Sequence, residues 1–155
     1  MIEYIEKDLT TVGMGIVAHG VNCQHKMGSG VAKAIREKWP TAYNVYMAEP
    51  KGKAMLGTAN MIAVGDLNDQ LWVANCYTQV FYGYGGGQYA DADAIERSIG
   101  QVAQWADIYN LPIFMPKIGC GLGGLKWEDV LPGVERINEN NNRVTIYICD
   151  LPIGK

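Results

Sequence analysis

Apolar positions along the chain follow two rhythms: short solid blocks, and longer stretches where they recur every three or four residues. Residues 15–22, GIVAHGVN, form the first block, and their β-branched side chains predict a buried strand. A loop follows over 23–30, and residues 31–39 predict a helix that Pro40 stops. Val31, Ala34, Ile35 and Lys38 share one face of that helix by i, i+3, i+4 spacing, which leaves it a basic outer side. A second short helix is predicted over 41–47, closed by Pro50-Lys51-Gly52. Strands are predicted over 57–64 and 71–78, with residues 65–69 as the hairpin turn between them. Residues 82–89, YGYGGGQY, are the one low-complexity stretch and read as a loop. Asp91 or Asp93 is placed to cap the next helix, along which Ile95, Ile99, Val102, Ala106 and Tyr109 form one stripe. A buried strand over 112–116, a glycine loop over 117–124, a helix over 127–138 and a last strand over 144–149 complete the pattern. Strands alternating with helices predict an α/β layered fold, and strands that follow one another without a helix make its sheet mixed. No repeat or linker interrupts the pattern, so one domain over 1–155 is expected.

Composition narrows the classes. At 155 residues, with 48% hydrophobic and 19% charged positions, the chain can bury a core and excludes disorder as its main state. Lys plus Arg is 13 against 16 for Asp plus Glu, a net charge of −3. Proteins that grip nucleic-acid backbone are ordinarily basic, so nucleic acid is disfavoured as a partner. No apolar run approaches the roughly 18–20 residues that span a bilayer. The start, MIEYIEK, carries acids where a signal peptide carries basic residues, so a cytoplasmic protein with no membrane partner is expected. Cys23, Cys76, Cys120 and Cys149 are far apart in sequence and read as reduced, mostly buried thiols, with no metal site expected. Trp39, Trp72, Trp105 and Trp127 read as core, and Lys33, Arg36 and Lys38 as a solvated helix face.

The chemistry is sought at the glycines. There are 19 of them, above the average usage of about 7%, and they cluster. Gly28-Ser29-Gly30-Val31 lies where a strand hands over to a helix, a place where free backbone N–H groups bind phosphate without cationic side chains. The dinucleotide fingerprint fails, because Lys33 stands at its third glycine. Residues 52–58 miss a P-loop, because Thr58 stands where its lysine must be. Lys117-Ile118-Gly119-Cys120-Gly121-Leu122-Gly123-Gly124 repeats the strand, glycine loop, helix arrangement. Two such loops at the carboxyl ends of strands would form opposite walls of a crevice, and a diphosphate between them is the natural physical reading.

Residues 18–32, AHGVNCQHKMGSGVA, and 115–127, MPKIGCGLGGLKW, resemble the macro domain, in the branch of ADP-ribose-1″-phosphate phosphatases and terminal ADP-ribose protein glycohydrolases. Asn75-Cys76-Tyr77-Thr78-Gln79, before the tyrosine-glycine loop, extends the likeness. The resemblance implies a three-layer α/β/α sandwich around a six-stranded mixed sheet, with an ADP-ribose derivative as ligand. It implies that Asp8 and Leu9 lie beside the adenine and that Asn22 bonds the distal ribose. Gly28, Ser29, Gly30 and Val31 would form the first phosphate loop, and Gly119, Cys120, Gly121, Leu122 and Gly123 the second, with Gln79 also at the ligand. His19 matches a histidine placed near the terminal phosphate. Glycohydrolases of the branch use a lysine beyond the middle strand and an aspartate in the second loop. Here no lysine occurs between Lys53 and Lys117, and Gly123 or Gly124 takes the aspartate's place. His25, where the branch often has a small residue, would add a phosphate contact or face solvent.

Two functions follow as expectations. The first is hydrolysis of ADP-ribose-1″-phosphate to ADP-ribose and phosphate without cofactor or metal, His19 serving as acid/base and Asn22 orienting the ribose. The second is a reader of ADP-ribose that does no chemistry; ADP-ribosyl hydrolysis by another residue set ranks below both. Each residue also has a plainer reading. His19 on an apolar strand is equally a hydrogen-bonded core residue, Asn22 a bridge between strand and loop, and Asp91 and Asp93 helix caps. The loop over 82–89 reads as a ligand lid or an ordinary loop.

Overall fold

The structure is a computed structural model that describes residues 1–66, 70–83 and 87–151. Six strands, β1 (Ile2–Glu6), β2 (Gly15–Asn22), β3 (Ala59–Ala63), β4 (Leu71–Gln79), β5 (Ile113–Met115) and β6 (Ile146–Asp150), form one sheet in the order β1-β6-β5-β2-β4-β3. All neighbours pair parallel except β3, which runs antiparallel to β4. The helices are α1 (Gly30–Lys38), α2 (Pro40–Ala48), α3 (Ala92–Tyr109) and α4 (Trp127–Asn140), with 3-10 turns at Leu9–Thr11 and Lys53–Met55. The expected α/β sandwich on a mixed six-stranded sheet is what the chain forms.

The alternation within β2 builds the layers. Ile16 and Ala18 point to one face, where they pack with Ala74 of β4, Ile95, Ile99, Val102 and Ala106 of α3, and Val130 and Val134 of α4. Val17 points to the other, where it meets Val73, Ile35 of α1, and Trp39 and Ala42 at α2. Because helices cover both faces, the strand reads as an unbroken apolar block.

Several expectations need correcting. The first strand, β1, was not expected: its apolar residues Ile2 and Ile5 are three apart, so they serve opposite faces and produce no alternation. Of the α1 stripe only Ile35 is buried, and Val31 and Ala34 face the grooves described below. Tyr109, at the last turn of α3, is exposed, while the rest of its stripe is buried. Trp39 is core, but Trp72, Trp105 and Trp127 are half-buried; Trp72 and Trp105 meet edge to face with centroids 5.1 Å apart. Pro40, expected as a stop, also opens α2 at its first position, where its missing N–H costs nothing. Pro132 lies inside α4, which continues to Asn140 with one backbone bond forfeited. Part of the expected hairpin turn (67–69) and of the tyrosine-glycine loop (84–86) lies outside the described residues.

Asp91 caps α3, its carboxylate accepting from the Ala94 N–H at 3.1 Å, and Asp93 pairs with Arg97 at 2.8 Å. The four cysteines are free thiols, three buried and Cys120 half-buried. Burial holds all four neutral, with Cys76 pushed up to about 12 and Cys149 to about 11. Among the described residues no helix is long and apolar enough to cross a membrane, and no cluster of His, Cys, Asp and Glu is arranged to hold a metal.

Candidate functional site

A cleft of about 370 Å³ opens at the carboxyl ends of β2, β4 and β5. It lies where the strand order turns outward in both directions, the position at which open α/β sheets form crevices. One wall is the run Gly28, Ser29, Gly30, Val31 and the other is Gly119, Gly121, Leu122, Gly123. A second lobe of about 350 Å³, lined by Asp8, Leu9, Ala34, Ile35 and Cys149, shares Gly30, Val31 and Pro116 with the first. The two lobes therefore adjoin across these three residues.

The first wall is the amino end of α1. Gly30 has φ +61°, and side chains added at Gly28 or Gly30 would meet nothing within 4 Å. The space beside both glycines is open to an incoming molecule, at the end of the helix where N–H groups lack helical partners. The second wall is tighter. Gly119 has φ +83° and Gly124 φ +82°; the Leu125 N–H bonds the Gly119 carbonyl at 2.9 Å, and the Gly124 N–H bonds that of Gly121 at 3.2 Å. The Gly123 carbonyl accepts from both Tyr89 (2.8 Å) and Ala90 (3.0 Å). Among the described residues, no backbone hydrogen bond occupies the N–H groups of Gly121, Leu122 or Gly123. Both walls thus offer amide donors suited to an anion.

Asn22 ends β2 in the cleft with its side chain already engaged. Its oxygen accepts from the N–H groups of Gln24 (2.9 Å) and Lys26 (3.3 Å), and its nitrogen donates to the Lys26 carbonyl at 2.8 Å. Gln79 lines the cleft from β4 and donates to the Phe81 carbonyl at 2.7 Å. In the second lobe Asp8 accepts from the Thr10 N–H (2.9 Å) and hydroxyl (2.7 Å), capping a 3-10 turn that seats Leu9 inside.

The structure does not bring His19 into this site. On β2 it follows Val17 onto the α1/α2 face, wholly buried, with Nε2 2.6 Å from Oδ1 of Asn75. Burial lowers its pKa to about 4 despite the Asn75 bond. Cys120 belongs to the second loop, but its thiol turns to the Ile118 carbonyl at 3.6 Å and does not line the cavity. His25 also turns aside: Nε2 lies 2.6 Å from the Glu49 carbonyl and the ring meets Tyr46 edge to face. Lys26 and Lys117 line the cleft without having been singled out. Their signal was their place, each beside a glycine loop.

The family model described as the macro domain matches residues 18–133. An ADP-ribose 1″-phosphate phosphatase of Debaryomyces hansenii is 28% identical over 97% of this chain and 100% of its own length. A DNA ADP-ribosyl glycohydrolase of Mycobacterium tuberculosis is 28% identical over 84% of this chain, which spans 36% of that protein. A Bacteroides thetaiotaomicron protein of unknown function superposes with a TM-score of 0.79 at 26% identity, covering 97% of this chain and 98% of that one.

Proposed function

Because the chain belongs to the macro domain family, we propose that its groove holds ADP-ribose and that the protein hydrolyses ADP-ribose-1″-phosphate to ADP-ribose and phosphate. The observation that carries this is that the two lobes adjoin across Gly30, Val31 and Pro116. An adenine fits the Asp8–Leu9 lobe, the diphosphate the span between the two amide-lined walls, and the distal ribose the end near Asn22. The phosphatase named in D. hansenii, matched along its full length, supports the choice of reaction.

In the proposed step water attacks phosphorus, the bond from phosphorus to the anomeric oxygen breaks, and that oxygen leaves as the ribose hydroxyl. An anomeric hydroxyl is more acidic than an ordinary alcohol, so it departs with solvent supplying the proton. The imidazole of His19 takes no part, because it is sealed beneath α2. Preorganised N–H donors and the held geometry supply the acceleration, which implies modest turnover.

A second reading, a module that binds ADP-ribose and leaves it intact, draws on the lining itself. In the lobe between the two glycine walls the described ionisable side chains are Lys26, Lys117 and Tyr82, none of them a carboxylate or imidazole. Phosphate release from ADP-ribose-1″-phosphate, measured beside calorimetric titration with ADP-ribose, separates the two. Release above the uncatalysed rate supports the phosphatase; binding without release leaves the reader; absence of both removes each.

A further inference from the structure

Asn22 is held from its own loop and also by a residue that does not line the cleft. Two backbone N–H groups, those of Gln24 and Lys26, point at its side-chain oxygen. Backbone N–H groups only donate, so the amide cannot be turned round without opposing donor to donor. A third donor comes from below: the Tyr46 hydroxyl of α2 lies 2.8 Å from that oxygen and 2.6 Å from the Asn22 main-chain carbonyl. With one proton, the hydroxyl is shared between the two acceptors.

Tyr46 is fully buried among Val21, Cys23, Met27 and Tyr77, with its ring held by Tyr77 and the edge of His25. Phenylalanine would pack there as well, and a buried hydroxyl is costly unless paired. The acceptors in reach of its proton are the two oxygens of Asn22, while the backbone N–H groups of Lys26 and His25 are directed at the hydroxyl oxygen itself. Desolvation raises its pKa, so the group remains a donor throughout the ordinary pH range.

We infer that Tyr46 is a positioning residue: it fixes Asn22 with the amide oxygen committed to the protein, so that Asn22 meets a ligand only as an N–H donor. One Asn22 N–H serves the Lys26 carbonyl, and the other is uncommitted among the described residues. The ligand atom it meets is therefore an acceptor, a ribose oxygen on the reading proposed above, on which this inference rests for its ligand.

The test compares wild type, Tyr46→Phe and Asn22→Asp for binding of ADP-ribose and of ADP, which lacks the distal ribose. Tyr46→Phe should weaken ADP-ribose about fivefold, the worth of one neutral hydrogen bond, and leave ADP unchanged. Asn22→Asp keeps an acceptor for Gln24, Lys26 and Tyr46 but removes the donor, and should show the same selective loss. Equal weakening of both ligands in Tyr46→Phe would mean a merely structural role and overturn the inference, as would an unchanged ADP-ribose affinity. In the unliganded protein, Tyr46→Phe should shift the Asn22 side-chain amide resonances and speed exchange at the Gln24 and Lys26 N–H groups. If these stay as in wild type, the inference is overturned whether or not any nucleotide binds. A wild-type protein with no affinity for ADP-ribose overturns the proposed function instead, and those resonances alone then decide for or against Tyr46. Should Tyr46→Phe not fold, the wild-type Tyr46 hydroxyl proton decides: slow exchange with solvent and a dipolar contact to the Asn22 side chain support the inference, and a proton that exchanges at once overturns it.

Discussion

His19 and Asn75 oppose each other on adjacent parallel strands, Nε2 of one 2.6 Å from Oδ1 of the other, and both are wholly buried. Asn75 spends its own nitrogen on the Ala42 carbonyl of α2 at 3.1 Å, so its oxygen accepts from the imidazole. That places the proton on Nε2 and leaves Nδ1 bare and, among the described residues, without a partner. The pair fastens two strands to a helix, and a second proton on the ring would be an unmatched cation in the interior.

Stability should therefore fall as acid is added, and earlier than carboxylates alone would cause. The unfolded histidine takes a proton near pH 6.5, whereas the folded one resists until about 4. Unfolded chains bind more protons between these values, so this contribution is intact above 6.5 and is lost progressively as pH drops toward 4. The full loss is about 3 kcal/mol. Urea unfolding at pH 7.5 and 4.5 should show it, with a shallower dependence in His19→Gln; a flat wild-type profile would count against the assignment.

Phosphate release should survive removal of the imidazole. Folded His19→Gln is expected to keep turnover within about threefold of wild type, since a general acid or base must come within hydrogen-bond reach of the reacting group. A drop of a hundredfold or more in protein that retains its native circular dichroism would return His19 to the chemistry.

Two glycines of the second wall should respond oppositely to alanine. A methyl at Gly123 would stand 2.6 Å from the Gly119 carbonyl and 2.8 Å from the Ala90 side chain. Gly123→Ala should cost about 1–3 kcal/mol of stability, read as a lower thermal midpoint. A methyl at Gly121 meets nothing within 4 Å, so Gly121→Ala should melt as wild type does.

Asp8→Ala should act on one end of the ligand. It removes the acceptor for the Thr10 N–H and hydroxyl, unfastening the turn that seats Leu9, at about 1 kcal/mol. Calorimetry should show weaker binding of ADP-ribose and AMP but unaltered binding of ribose 5-phosphate. Equal losses for all three would refute the adenine assignment.

Much of this is legible in the sequence alone, and the gaps have physical causes. The glycine runs marked both walls because backbone that must lie bare or take a positive φ, as at Gly30 and Gly119, leaves its mark in composition. The solid apolar block of β2 announced a strand covered on both sides, yet for that reason could not say which face His19 would join. The face holding Val31 and Ala34 looked like core because a groove wall is as apolar as an interior. The place of β1 depends on pairing Ile2 with Ile146, at the far end of the chain. Tyr46 was invisible for the same reason: its partner, Asn22, belongs to a different element.

The peptide unit joining Gly123 to Gly124 is tied at both ends, its carbonyl to Tyr89 and Ala90 and its N–H to the Gly121 carbonyl. It behaves as a braced strut rather than a hinge. Ordering of this stretch accompanies folding, so an arriving anion meets amides already aligned and has little freedom left to remove. Rapid capture with scant rearrangement of this wall is the kinetic signature that such bracing implies.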